Sequence, residues 1–293
     1  MKDELGDRIK SFYEDRTRYY LPRRTSTIIR IDGKSFSNYT RGLPRPFDQE
    51  LIDDMNATTK FLCENIQNAK FGYVQSDEIS IVLTDYDKLT TDAWFDGNIQ
   101  KMVSIAASLA TSKFNQLRII RNIEKDYDYR DEIACINLAN LKLAQFDARV
   151  FTIPNEEEVI NYFIWRQQDS TRNSISAVAQ SLYSHKELHG KTTDQMQELI
   201  FQRGKNWNDY PIGQKRGRVV VRRDVDIPTT KEIYDKAKDK TSFVIDNTGD
   251  DYSTFLNNSK YKIRRSQWVV VDPPIFTQEK EFIRQAIKRK KEA

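Results

Sequence analysis

Cysteine is scarce: Cys63 and Cys135 are the only two in 293 residues. Two distant thiols cannot build a disulfide framework, so a reduced, cytoplasmic protein is expected. Histidine is as rare, and the pair His185 and His189 stand four apart, on one face of any helix they occupy. The run His185-Lys186-Glu187-Leu188-His189 puts glutamate third rather than second, so it is not the H-E-x-x-H of zinc hydrolases. Its His-x-Glu also lacks a Pro-Cys-x-x-Cys partner. A zinc site is therefore not expected. With ten glycines, the chain has no G-x-G-x-x-G and no G-x-S-x-G, against a Rossmann enzyme or an α/β-hydrolase. Gly190-Lys191-Thr192 ends like a P-loop, but His185 stands where its first glycine is required. Long hydrophobic runs are missing too; none approaches the roughly 20 residues of a membrane span. The opening residues carry no secretory pattern.

What is present is charge. Lysine and arginine number 47 against 43 acids, a net +4 that hides an uneven distribution. Arg16, Arg18, Arg23, Arg24 and Arg30 lie close together, interleaved with Tyr13, Tyr19 and Tyr20. Lys215, Arg216, Arg218, Arg222 and Arg223 form a second cluster, and Lys288, Arg289, Lys290 and Lys291 a third. Cations interleaved with tyrosines suit a polyanion with stackable bases; a merely solvated face with a frayed basic tail is the alternative.

The periodicity predicts a helix over 3–20, a strand over 26–32 and a helix from an Asp48 cap to about Asn65. A hairpin over 70–84 follows, then a helix over 97–115, a charged, tyrosine-rich loop at 126–131 and a strand over 146–152. A long helix from Pro154-Asn155 to about Leu182 comes next, then helical sequence and a strand at 218–221. Residues 224–260 read as an insertion. The β-α-β-β-α-β order is that of a ferredoxin-like, split βαβ unit, an α+β fold in two layers.

Two strand ends carry acids. Thr27–Ile31 runs into Asp32-Gly33, and Tyr73-Val74 reaches a polar corner, Gln75-Ser76-Asp77-Glu78, before Ile79–Leu83. Two strand-end carboxylates suit Mg²⁺, which takes one or two carboxylates, waters and substrate phosphates. Phosphoryl or nucleotidyl transfer is the chemistry expected. Strand alternation favours Glu78 as the partner of Asp32, unless a turn at Ser76-Asp77 breaks the parity.

The ordered set Arg30-x-Asp32-Gly33-x-x-Phe36, Gly72-Tyr73-x-Gln75-Ser76-Asp77-Glu78, Phe146-Asp147-x-Arg149 and Trp165-Arg166-Gln167-x-Asp169 resembles the histidine-tRNA guanylyltransferase family. The likeness spans roughly 5–222 and is nearest the bacterial, archaeal and phage guanylyltransferase-like 3′-to-5′ polymerases. It implies a polymerase palm-like core over 1–153 and a helical extension over 154–223 completing the nucleotide and RNA site. An insertion over 224–266 and a C-terminal segment with basic tail over 267–293 follow, a C-terminal β/α extension.

The resemblance makes Asp32 and Asp77 the ligands of two Mg²⁺ ions, with the Gly33 carbonyl beside them and Glu78 a nearby acid of secondary role. It places Arg30, Lys34, Arg45, Ser76, Lys101, Asn173 and Lys205 at the nucleotide. The implied activity is template-dependent addition of GTP and other nucleoside triphosphates to a tRNA 5′ end first activated with ATP, repairing 5′-truncated tRNA. Addition of a single 5′ G to histidine tRNA is the alternative within the family. A palm-fold nucleotide cyclase and a non-catalytic RNA-binding protein are the alternatives outside it. The implied partners are the tRNA acceptor stem and nucleoside triphosphates, in a homotetramer with no membrane attachment. Only Asn173 of the polar signature usual in eukaryotic members survives in 171–177, and Gly97-Asn98 replace an arginine pair, both in keeping with the bacterial-type branch.

Overall fold

The computed structural model describes residues 3–125, 141–228, 243–245 and 261–288. The loop expected at 126–131, Cys135, most of the insertion at 224–260 and the basic residues 289–291 lie outside the described residues. The chain divides into two compact units, 1–220 with 270–293, and 221–269.

The first unit opens with helix α1 (Glu4–Ile9), capped by Asp3, which winds on through a π turn at Lys10–Glu14 and a 3₁₀ turn at Asp15–Thr17. The single helix expected over 3–20 is thus broken. No residue of these turns is buried, so no core face holds one helical register.

Strand β1 (Ser26–Gly33) leads to the one-turn helix α2 (Phe36–Tyr39) and to α3 (Gln49–Asn65). Asp48 caps α3 as expected, accepting from the Leu51 amide at 2.6 Å. The hairpin is β2 (Ala69–Gln75) and β3 (Glu78–Leu83), and every residue of both strands is buried. Helix α4 (Ile99–Lys125) runs ten residues past its expected end and returns the chain to β4 (Phe146–Ile153). All pairings are antiparallel and the strand order is β4-β1-β3-β2, with β1 and β2 flanking β3 as a split βαβ unit requires. The fold is α+β.

Helix α5 (Glu156–Gln180) is capped by Asn155, which accepts from the Glu158 amide at 2.8 Å. Short helices α6 (His185–Leu188) and α7 (Thr193–Gln202), with Trp207 of a 3₁₀ turn, pack a small apolar cluster of Leu188, Ile200 and Trp207 against Ile175 and Val178 of α5, and the short helix α8 (Ile212–Arg216) follows. Strand β5 (Arg218–Pro228) then adds beside β2. Helix α9 (Lys280–Lys288) buries Ile283 and Ile287, and the Gln167 side chain clasps the approach to it through Pro274 O and Phe276 N at 2.7 and 2.8 Å.

The expectation of two layers is corrected at β2. Gly72 faces α3, where an added Cβ would stand 2.7 Å from Cys63 Sγ. Its neighbours Phe71 and Tyr73 point the other way, to Phe163 of α5 at ring-centroid distances of 4.7 and 6.5 Å and to Phe276. Helices cover both faces because adjacent strand residues are both apolar or small, the pattern of a doubly buried strand.

In the second unit, β6 (Phe243–Ile245) pairs antiparallel with β7 (Tyr261–Val271). Arg264 binds Asp226, and the Arg222 guanidinium lies 4.9 Å from the Trp268 ring centroid.

Candidate active site

The β2–β3 connection is a two-residue turn, Ser76-Asp77, closed by the pair Gln75↔Glu78. Ser76 takes a left-handed φ of 45°, so strand alternation stops at Gln75 and does not govern where Asp77 points. The Ser76 hydroxyl donates to Asp77 Oδ1 at 2.8 Å. At the end of the neighbouring strand, Gly33 allows a close approach: an added Cβ would lie 2.9 Å from Asp77 Oδ2 and 2.3 Å from the Phe36 ring. Asp77 therefore rests against the backbone residue that follows Asp32.

The electrostatics carry the same proximity. Burial lifts the Asp77 carboxyl above its ordinary value, the Ser76 hydroxyl and a backbone amide oppose the lift, and the negative charge of Asp32 adds to it. Among the described residues, neither Asp32 nor Asp77 is ion-paired.

Glu78 differs. It lies on the sheet face of Arg30 and Ser80, as alternation predicts. Its Oε2 accepts from Arg30 Nη2 at 2.8 Å and from Arg166 Nη2 at 2.7 Å. Arg166 is 1% exposed and also binds Asp169 at 2.9 Å. Burial raises the Glu78 carboxyl, against the pull of the two guanidiniums.

An ion fits at Asp32 and Asp77. Carboxylate oxygens are hard donors of the kind Mg²⁺ prefers. Among the described residues no three His, Cys, Asp or Glu side chains converge to hold a metal. The pair thus suits an ion completed by water and substrate phosphates.

The remaining expected residues are spread more widely. Lys34 follows the glycine, lies 3.3 Å from Gln145 Oε1 and lines a cleft of about 380 Å³ with Ser108, Thr111 and Asp147. Arg45 is exposed before a cis Pro46 on the way to α3. Lys101 is exposed in the first turn of α4, where its amide binds Asn98 Oδ1 at 3.0 Å. Asn173 is exposed on α5, and Lys205 is exposed beyond α7. Among the described residues, no hydrogen bond or ion pair ties these four to the Asp32–Asp77 pair. Arg30 is committed to Glu78 rather than standing free. Arg166 and Asp169 belong to the Trp165–Asp169 motif but carry no assigned role in the sequence; their three-residue spacing on a helix is the signal for the ion pair.

No helix among the described residues is long and apolar enough to cross a membrane. Comparison with known proteins gives a consistent result. The sequence profile described as tRNAHis guanylyltransferase (Thg1) matches residues 6–154, half of the chain. The chain is 28% identical to an uncharacterized protein of Acanthamoeba polyphaga mimivirus, over 76% of this chain and 78% of that one. It is 26% identical to the tRNA(His) guanylyltransferase of Schizosaccharomyces pombe, over 69% and 75%. Among solved structures it is similar to a bacterial tRNA(His) guanylyltransferase (Thg1)-like protein in complex with ATP, at 37% identity and TM-score 0.72, over 97% and 99%. A bacterial Thg1-like protein in complex with GTP gives 36% and 0.68 over the same shares. With an Asp77 carboxylate set against Gly33, the residue after Asp32, and half its length matched by one profile, the chain belongs to the tRNAHis guanylyltransferase (Thg1) family of nucleotidyltransferases.

Proposed function

We propose that this protein is a template-dependent 3′-to-5′ nucleotidyltransferase that activates a tRNA 5′ end with ATP and adds GTP or other nucleoside triphosphates to it, repairing 5′-truncated tRNA. The observation that carries the reading is the Asp77 carboxylate, in no ion pair among the described residues, lodged against Gly33 and within reach of the Asp32 charge. The bacterial relatives in complex with ATP and with GTP support both nucleotides as substrates here. An antiparallel β4-β1-β3-β2 sheet with Asp32 and Asp77 at its strand ends is in keeping with a polymerase palm. Residues 1–153 would be that palm, 154–223 the extension completing the site, 224–266 an insertion and 267–293 a C-terminal segment. The working form is a cytoplasmic homotetramer.

The chemistry has two displacements. The RNA 5′-monophosphate attacks the α-phosphorus of ATP, forming a phosphoanhydride and releasing pyrophosphate. The 3′-hydroxyl of the incoming triphosphate then attacks the RNA 5′-phosphorus, forming a phosphodiester and releasing AMP. Asp32, Asp77 and the Gly33 carbonyl would hold Mg²⁺, which when bound lowers the pKa of an attacking hydroxyl and neutralises charge on a leaving oxygen. Ser76 fixes the Asp77 carboxylate from one side. Arg30 and Arg166 both bind Glu78 Oε2, which would keep the first residue of β3, next to Asp77, in place as a nearby acid of secondary role. Exposed Lys34, Arg45, Lys101 and Lys205 are the cations available to triphosphate, where such clamps count most as charge develops. Asn173 offers its amide on α5. Pairing with the opposite acceptor strand selects the base.

The test is incubation of labelled ATP and GTP with 5′-monophosphorylated tRNA lacking its first nucleotides. Wild type yields an adenylylated end and then extended RNA, and Asp32→Ala yields neither. Extension of full-length histidine tRNA by one G, with no filling of truncated stems, would favour the family's namesake reaction instead. Cyclic product from nucleotide alone would reject both.

A further inference from the structure

Trp165 is set apart from the other tryptophans. Trp94, Trp207 and Trp268 are 7%, 6% and 3% exposed, and Trp165 is 45% exposed. It lies on α5, one residue before Arg166. The Arg166 guanidinium is 4.3 Å from its ring centroid, that of Arg30 5.8 Å, and the Tyr162 ring meets it edge-on at 5.8 Å. These two guanidiniums are the ones that bind Glu78, the residue after Asp77.

The ring thus stands at the border of the covered part of the sheet. Tyr162 and Arg166 reach from α5 to Ser80 and Glu78 of β3. On the neighbouring strands of that face, Asp147 and Arg149 pair with Asp32 and Arg30 and are exposed, with side chains 59% and 54% accessible. A broad apolar ring left half in water is costly to keep, and here cations and a second aromatic hold it in one orientation. A fixed, flat π surface against Arg30, on the sheet face that carries Asp32, matches a nucleobase. Base stacking is also tolerant of sequence, since every base has a π face, as template-chosen addition requires.

We propose that Trp165 is a stacking surface for a nucleobase of the substrate. The assignment rests on the nucleotidyl-transfer reading above. The base comes either from the 5′ end of the RNA or from the free nucleoside triphosphate, and the rival role is a ring that only shields the Arg166–Glu78 ion pair from water.

Three variants of the full chain separate these roles: Trp165→Phe keeps a π face, Trp165→Leu keeps apolar cover without one, and Trp165→Ala keeps neither. Intrinsic fluorescence is read first, with 5′-monophosphorylated acceptor-stem RNA and with GTP as separate probes. Wild type is quenched by the probe whose base stacks, and the quench is absent in Trp165→Phe. In steady-state extension assays, the KM for that probe rises about tenfold or more in Ala and Leu and stays near wild type in Phe. If the RNA supplies the base, an abasic 5′-terminal nucleotide removes the difference between wild type and Ala; if GTP supplies it, the nucleotide KM moves alone. Recovery by Leu equal to that by Phe, or unchanged KM for both probes with no quench in wild type, overturns the proposal. Because quenching needs no turnover, inactive wild-type protein would defeat the nucleotidyl-transfer reading while the stacking surface is still judged by its fluorescence.

Discussion

Gly33 leaves no room for a side chain because Asp77 is there: a Cβ at Gly33 would stand 2.9 Å from Asp77 Oδ2 and 2.3 Å from the Phe36 ring. Gly33→Ala must displace one or both. Phe36 is buried against Phe114 and Phe146, at ring-centroid distances of 5.8 and 5.6 Å, and cannot swing freely. Overpacking of this kind costs about 1–3 kcal/mol. The expected outcome is a folded protein with lowered Tm and nucleotide addition reduced at least a hundredfold. Near-normal addition by Gly33→Ala would mean that the approach of Asp77 to β1 has no part in catalysis.

Asp77 is held at a cost to stability. Its carboxyl is raised above its ordinary value by burial and the Asp32 charge. A carboxyl that binds its proton more tightly folded than unfolded makes stability fall as pH rises through the folded value. Asp77→Asn removes the ionising group. It should melt higher than wild type at neutral pH without added Mg²⁺, with the difference shrinking as pH falls, while addition is lost. Equal melting temperatures at neutral pH, measured by calorimetry in chelator, would contradict this.

Arg166 is the structural counterpart. Removing one partner from a buried ion pair costs about 3–5 kcal/mol where the other charge is left alone, and toward the lower end of that here, because Arg30 stays with Glu78. Arg166→Met should therefore lower Tm sharply, and Glu78→Gln in that background should recover part of the loss. A double variant no more stable than Arg166→Met alone would show that the pair with Glu78 is not the source of the cost.

These relationships differ in how far the sequence reveals them. The β-branched run Thr27, Ile28, Ile29 and Ile31 before Asp32-Gly33 marks β1, and Asp48 marks the start of α3, because both signals are local. The β-α-β-β-α-β order follows from such signals in sequence, and the 4-1-3-2 strand order is the arrangement it allows. Alternation places Glu78 on the face of Arg30 but says nothing of Asp77, whose direction is set by a turn with Ser76 at positive φ. The clasp of Glu78 by Arg166 joins residues 88 positions apart and has no periodic signature. Nor do the layers: that α5 and α9 cover the second face of β2 depends on Phe163 and Phe282 meeting Phe71. The helix expected over 3–20 fails for the opposite reason. Its local propensity is adequate, but Leu5, Ile9 and Phe12 are all exposed and nothing fixes one register.

The N-terminal arginines make the last prediction, on RNA binding and salt. Affinity that comes from releasing counterions falls with salt in proportion to the phosphates neutralised. Counting Arg16, Arg18, Arg23 and Arg24 as equal contributors overstates the slope. Arg18 is paired with Asp15 at 3.0 Å and with Glu14, and Arg23 with Asp85 at 2.7 Å and Asp96 at 3.0 Å. A guanidinium already facing carboxylates must give them up before it can neutralise a phosphate. Among the described residues, the Arg16 and Arg24 side chains have no such partner. Arg16→Ala and Arg24→Ala should each reduce the slope of log K against log salt by about 1, measured by fluorescence anisotropy on a tRNA acceptor stem. Arg18→Ala should change it less, and Arg23→Ala should act chiefly by lowering Tm, since Asp85 is left with its buried charge unmatched. Equal slope changes for all four would mean that the ion pairs open in the complex at no cost.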